Sequence, residues 1–204
     1  MKKVQDHYFH KARKDGYVAR SAYKLEEIDQ RQQLLKRGQK VLDLGCAPGS
    51  WLQYTSRRIG ESGRLLGIDL QAVAISLPPQ VEVLQTDIYK LNRSGAWWEN
   101  PFDVILSDMA PKTTGVRSAD ADRSYALNQY ALWLAEQHLS KGGCLLVKAF
   151  QGAPFQQLQQ EFRQMFNEVK ICKPKSSRSE SVEVFLLGNK KQEGQVRKEG
   201  ISQS

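Results

Sequence analysis

The sequence predicts an α/β fold, a seven-stranded, mostly parallel sheet that ends in a C-terminal antiparallel hairpin. Three observations predict it. Short apolar runs alternate with helix-like stretches between residues 41 and 166, the pattern of strand–helix–strand crossovers and so of parallel pairing. The first run, Val41-Leu42-Asp43-Leu44, passes through a turn bearing Gly45 and Gly49 into a helix, as at the ligand end of a Rossmann-like sheet. The last two runs, Val169–Cys172 and Val182–Leu187, are joined by the basic, serine-rich Lys173–Ser181 with no helix between them, which makes a hairpin.

The elements follow in order. Residues 4–15 set Tyr8 and Phe9 among Lys11, Arg13 and Lys14, and read as a short amphipathic helix ended by Gly16. Ser21 is the expected N-cap of the next helix, in which Ala22, Leu25 and Ile28 form a three-residue apolar spacing. Lys24 lies at the edge of that stripe, placed either to snorkel or to project into a site. The first strand is Val41–Leu44 and its helix runs from about Ser50 to Ile59. Strands over Arg64–Asp69 and Val81–Gln85 follow, then a loop with Trp97 and Trp98, then a strand over Phe102–Leu106 that closes on Ser107-Asp108-Met109-Ala110-Pro111. The longest helix is expected over Asp120–Leu139, stopped by Lys141-Gly142-Gly143, before a strand over Cys144–Ala149 and a helix over Pro154–Phe166. Beyond Leu187 the residues are mostly Gly, Lys, Gln and Glu, with little to bury, so a disordered tail is expected.

The chain's 204 residues suffice for one domain with a substantial core. We divide it into a basic helical arm (1–36), a main α/β domain (37–188) and the tail (189–204). No apolar run approaches the roughly 20 residues of a membrane span, and Met1–His7 has no apolar signal region. Cys46, Cys144 and Cys172 are widely spaced with no CxxC pair, which fits a reducing compartment and the cytoplasm as the default location. The net charge of +8 is unevenly placed. Residues 1–24 carry seven Lys/Arg against two Asp/Glu and residues 170–204 eight against four, so the middle of the chain is close to neutral. Basic ends around a neutral domain point to a polyanion footprint, the plainer alternative being soluble basic tails.

The glycine spacing bears on the cofactor. Gly45-x-x-x-Gly49 is not G-x-G-x-x-G, so the dinucleotide fingerprint is missing. A looser turn with no pyrophosphate to cradle suits a nucleoside with a small polar tail, such as S-adenosylmethionine. The alternative is a strand-to-helix turn without a ligand. In open α/β sheets ligands bind beyond the carboxyl ends of the strands, which makes Asp69, Asp87, Asp108 and Lys148 the candidates. Asp69 suits ribose hydroxyls and Asp87 an adenine amine, though each is also readable as a loop carboxylate or a cap.

Lys148 interrupts the apolar strand Cys144–Phe150, and Glu183 interrupts Val182–Leu187. A lysine acts as a general base when desolvation or a nearby cation brings it towards neutrality, and Lys24 is a candidate for that cation. Asp108 and Glu183 would hold the two lysines. Such a group is either a proton-transfer centre or a structural ion-pair network. Other chemistries fit poorly. His7, His10 and His138 lack metal spacing, no G-x-S-x-G elbow is present, and no cysteine follows a proline. Asp108-Met109-Ala110-Pro111 is not the Pro-Pro-aromatic pattern of base-amino methylation. A lysine base acting on a hydroxyl remains, with no metal.

Arg20-Ser21-Ala22-Tyr23-Lys24-Leu25, Asp43-Leu44-Gly45-Cys46-Ala47-Pro48-Gly49-Ser50-Trp51, Ser107–Pro111, Val147-Lys148-Ala149-Phe150-Gln151-Gly152 and Lys173-Pro174-Lys175-Ser176-Ser177-Arg178 occur in this order. Together they resemble the FtsJ/RrmJ family of ribosomal RNA 2′-O-ribose methyltransferases over about residues 5–188. Ser50 stands where a second glycine is usual, and Cys46 where alanine is common. The resemblance implies a Rossmann-like S-adenosylmethionine-dependent methyltransferase fold with a catalytic tetrad on Lys24, Asp108, Lys148 and Glu183. It implies cofactor contacts at Gly45, Gly49, Trp51, Asp69, Asp87 and Asp108, and Lys148 as the base for a ribose hydroxyl. Compact members act on a uridine of large-subunit (23S) ribosomal RNA, which makes ribosomal RNA, within the large ribosomal subunit, the expected partner of a monomer. Relatives act on tRNA anticodon loops or mRNA caps, and a non-catalytic RNA-binding assembly factor is the alternative of another class. The basic arms, with Lys2, Lys3, Lys11, Arg13, Lys14 and Arg20 before Lys24, and Lys173, Lys175 and Arg178 before Glu183, would hold phosphates around the target.

Overall fold

A computed structural model describes residues 2–177 and 181–193, with side chains from residue 7 onward. Two helices, α1 (Lys2–Lys14) and α2 (Ala22–Gln32), precede β1 (Lys40–Leu44), α3 (Ser50–Ile59), β2 (Arg64–Asp69) and β3 (Val81–Gln85). A single 3₁₀ turn (Ile88–Lys90) leads towards β4 (Phe102–Ser107). Then come α4 (Arg117–His138), β5 (Leu139–Phe150), α5 (Ala153–Met165), β6 (Phe166–Cys172) and β7 (Glu183–Lys191).

The seven strands lie in the order β3-β2-β1-β4-β5-β7-β6. Pairing is parallel from β3 to β5, and β7 runs antiparallel to both β5 and β6, as the hairpin reading requires. The chain winds outwards from β1 to β3 in one direction and from β4 to β6 in the other. The switch point therefore falls between β1 and β4, and a ligand crevice is expected beyond the carboxyl ends of these strands.

Period-two alternation gives the sheet two apolar faces, as a doubly covered parallel sheet requires. Leu145, Val147, Val184 and Leu186 pack with Ala131, Leu132, Phe155 and Phe162 of α4 and α5. Cys144, Leu146, Phe185 and Leu187 pack on the other face with Leu25 and Ile28 of α2 and Trp51 and Leu52 of α3. The result is a three-layer sandwich. α2 and the following Leu34 and Leu35 belong to the same core as α3.

Three expectations change. Ser21 makes no capping bond to its helix, and its hydroxyl instead lies 2.7 Å from that of Ser50. Lys141-Gly142-Gly143 does not separate α4 from a later strand. It lies inside β5, where Phe102 faces Leu139 but Val104 faces Cys144, an irregularity that absorbs the glycines as a bulge. The tail begins later than residue 189, because β7 continues to Lys191, whose ammonium donates to the carbonyls of Ala135, Glu136 and Leu139 at the end of α4, each at 2.7 Å. That cation closes carbonyls the helix leaves open. Arg178, the side chains of Lys2 and Lys3, and the tail from residue 194 lie outside the described residues.

One buried carboxylate fixes α2 against α3. Asp29 accepts from the Leu35 amide (2.8 Å), the Tyr54 hydroxyl (2.7 Å) and Arg58 Nε (2.9 Å). Removing it strands three donors at a helix–helix contact. Asp29→Ala should lower the unfolding free energy by about 2–4 kcal/mol, read as a lower denaturant midpoint at unchanged m value.

Candidate active site

The strand ends build the site. Lys148 and Glu183 lie on the sheet face that carries Leu146, Phe185 and Leu187, and the register sets Lys148 opposite Phe185 and Phe150 opposite Glu183. That is the face covered by α2, so Lys24 reaches it from above. Its ammonium lies 3.0 Å from Glu183 Oε2. The Lys148 ammonium lies 2.8 Å from Asp108 Oδ1 and donates its directed hydrogen bond to the Asp108 carbonyl at 2.6 Å. Four charges from α2, the end of β4, β5 and β7 thus form two pairs at one end of the sheet. Lys148 is only 7% exposed, and a charge so far from water needs its partner.

Burial alone would raise the Glu183 carboxyl, but the Lys24 ammonium beside it, with help from Lys148 and the Ser181 hydroxyl, holds it below its ordinary 4.5. Trp51 and Phe185 floor the group. The Trp51 ring is buried 5.8 Å from that of Phe185, and its indole N–H donates to the Ser21 carbonyl at 2.9 Å. The ring therefore ties α3 to the start of α2, and its backbone amide, in the first turn of α3, is the part of Trp51 able to meet a ligand.

The crevice at the switch point lies alongside. Gly45 has φ +75° and a Cβ there would meet the Met109 backbone at 2.9 Å, so the β1 turn presses directly on the turn after β4. Gly49 has φ +114°, and a Cβ would come within 2.6 Å of Ile75. Asp69 Oδ2 accepts from the Ala47 amide (2.9 Å) and Oδ1 from the Gln71 amide (2.8 Å), which holds the glycine turn open over β2. Asp87 caps the 3₁₀ turn by accepting from the Tyr89 amide at 3.0 Å. Both carboxylates keep lone pairs for a ligand.

One residue escaped the sequence reading. Asp43 is fully buried in β1, and among the described residues neither of its carboxyl oxygens has a hydrogen-bond partner. Burial first, then the neighbouring Asp108 and Asp69, push its carboxyl well above the usual range. The Ser107 hydroxyl at the end of β4 is also buried and unpartnered. The available signal was the one that exposed Lys148 and Glu183, a charge inside an apolar strand. S-adenosylmethionine carries a sulfonium and an ammonium, and acidic groups with unspent acceptors beneath a glycine turn suit such a cation. The residues present fit the group.

A sheet wound both ways from its centre, an acidic crevice at the switch point and a lysine–carboxylate centre beside it define a Rossmann-like S-adenosylmethionine-dependent methyltransferase. The chain belongs to the FtsJ-like methyltransferase family, which it matches over residues 17–191. It is 48% identical over 187 residues to ribosomal RNA large subunit methyltransferase E of Syntrophobacter fumaroxidans, covering 91% of this chain and 95% of that protein. The protein of the same name from Bdellovibrio bacteriovorus is 46% identical over 188 residues, covering 90% and 95%. A crystal structure described as that of a ribosomal RNA methyltransferase from Plasmodium falciparum superposes with a TM-score of 0.74 at 30% identity, covering 86% of this chain and 98% of that one.

The Lys24–Glu183 pair has a pH signature. With the folded carboxyl held below 4.5, its contribution to stability is complete above that value and is lost as pH falls through the folded pKa. Denaturant midpoints of wild type and Glu183→Gln should differ from pH 7 down to about pH 5 and converge below the carboxylate range.

Proposed function

We propose that the chain transfers a methyl group from S-adenosylmethionine to the ribose 2′-hydroxyl of a uridine in large-subunit ribosomal RNA, acting on the large ribosomal subunit as a cytoplasmic monomer. The observation that carries the reading is the convergence of Lys148, Asp108, Lys24 and Glu183 at the crevice mouth. The substrate follows the names of the relatives, which match this chain nearly end to end. The cytoplasmic assignment follows three unpaired cysteines. Among the described residues no helix is long and apolar enough to cross a membrane.

Bound S-adenosylmethionine supplies a methyl group already activated by its sulfonium. The protein's task is then alignment and proton removal. Lys148, having first given up a proton to solvent, would take the 2′-hydroxyl proton as the oxygen forms its bond to the methyl carbon and the bond from that carbon to sulfur breaks, the sulfur leaving as a neutral thioether. Asp108 fixes the Lys148 nitrogen through its carboxylate and its carbonyl, so the lone pair has one direction. Lys24 and Glu183 position the ribose, and their pairing keeps the Lys24 ammonium from wandering into the place of the attacking oxygen. Asp69 orders the glycine turn and receives ribose hydroxyls of the cofactor. Asp87 faces its adenine, while Gly45 and Gly49 let backbone approach it. The Trp51 amide and Asp108 complete the cradle, with Asp69 balancing positive charge.

Lys148→Ala should lower single-turnover transfer by about 10²–10⁴-fold while cofactor binding persists. The assay uses labelled S-adenosylmethionine with ribosomal RNA, free and in large subunits, and identifies the product as a 2′-O-methylribose. A wild-type protein that binds cofactor and RNA yet transfers nothing would move the binding-factor reading ahead.

Lys11, Arg13, Lys14, Lys173 and Lys175 are exposed, on the segments that precede Lys24 and Glu183 in the chain. Replacing three of them with alanine should weaken RNA binding and flatten the plot of log K against log salt by about two units. An unchanged slope would remove the arms from the interface.

A further inference from the structure

A second concavity lies outside the tetrad and the cofactor crevice, between α1, α2 and the loop that precedes β7. Its volume is 240 Å³, below the roughly 300–1,000 Å³ of sites for drug-sized ligands and suited to a single planar ring system. Tyr8 of α1 forms one wall, half-buried, with its ring 5.5 Å from that of Tyr23. Tyr23 is already committed. Its hydroxyl donates to Asp15 at 2.8 Å, and the Lys11 ammonium sits 4.4 Å from its ring centre. Tyr8, which also meets the His7 ring edge-on at 5.6 Å, is the more exposed aromatic wall and the one able to meet a ligand. Lys11, Arg31 and Lys175, all exposed, ring the mouth.

The pocket is also rigidly coupled to the tetrad. Both oxygens of Glu27 accept loop amides, from Lys175 at 2.7 Å and Ser176 at 3.0 Å, which clamps the loop onto α2. Glu27 follows Lys24 by three residues, so the two are neighbours on the helix surface. Glu26, on the pocket wall, spends one oxygen on the Gln30 amide at 3.3 Å and keeps the other.

We propose, resting on the reading that this chain acts on RNA, that the pocket takes the unstacked base of a nucleotide adjoining the methylated one. Tyr8 stacks on the base, Glu26 accepts from an N–H on its edge, and Lys11, Arg31 and Lys175 hold the neighbouring phosphates. Single-stranded RNA is recognised through splayed bases stacked on aromatic rings, with cations tracking the backbone. A cluster with one ring, one free acceptor and three peripheral cations matches that chemistry.

The test measures equilibrium binding of the full chain to the shortest large-subunit RNA fragment that retains wild-type affinity, with single abasic substitutions scanned along it. Tyr8→Ala should weaken binding of the intact fragment about tenfold, and Tyr8→Phe, which keeps the ring, should bind as wild type does. One abasic position should cost the wild type a similar factor and cost Tyr8→Ala little more, and that position should adjoin the methylated nucleotide. Wild-type affinity in Tyr8→Ala overturns the proposal, as does a scan in which every abasic position affects the two proteins equally. The two binding outcomes need no methyl transfer, which serves only to locate the modified nucleotide. If the wild type binds the fragment but modifies nothing, the methylation reading fails, and the pocket is still judged by the same two outcomes.

Discussion

A buried charge must be matched, and in this molecule that constraint ties together stretches far apart in the chain. Lys148 stands in an inner strand where a carboxylate and a carbonyl stabilise its ammonium, and Asp108 supplies both. Lys24 and Glu183 are 159 residues apart and meet because β7 brings its first residue under α2. Each pair is a weak source of net stability, since desolvation offsets much of the attraction, but each strongly disfavours any arrangement that leaves a partner alone. The pairs thus fix the relative positions of α2, the β4 turn and β7.

Around them the packing is conventional and serves position. Asp29 locks α2 to α3, the Trp51 indole locks α3 to the residue before α2, and Glu27 locks α2 to the loop that leads into β7. Three polar ties on one short helix explain how an element of only 11 residues holds a lysine steady over a crevice. An isolated helix of that length would be marginal in water. Its order comes from its neighbours.

Most of the sheet was legible in the sequence because buried parallel strands are near-continuous apolar runs, and the absence of a helix after Cys172 identified the hairpin. The tetrad was legible for the converse reason, since Lys148 and Glu183 break runs that are otherwise apolar. Asp43 broke such a run too, but it stood inside a motif whose glycines drew the attention. The extension of β5 through Gly142-Gly143 was hidden because two glycines after a helix read as a stop, and only pairing with β4 shows that the strand has begun. The Ser21 hydroxyl and the true end of β7 depended on tertiary partners, Ser50 and the carbonyls closing α4, that no local pattern displays.

The antiparallel sense of β7 has a practical consequence. Its first residue stands at the reactive end of the sheet and its last, Lys191, is pinned at the opposite end, beneath α4. The last strand residue therefore lies on the side facing away from Lys24 and Glu183. A label placed at Lys191 would report on the end of α4 and leave the charged end of the sheet untouched.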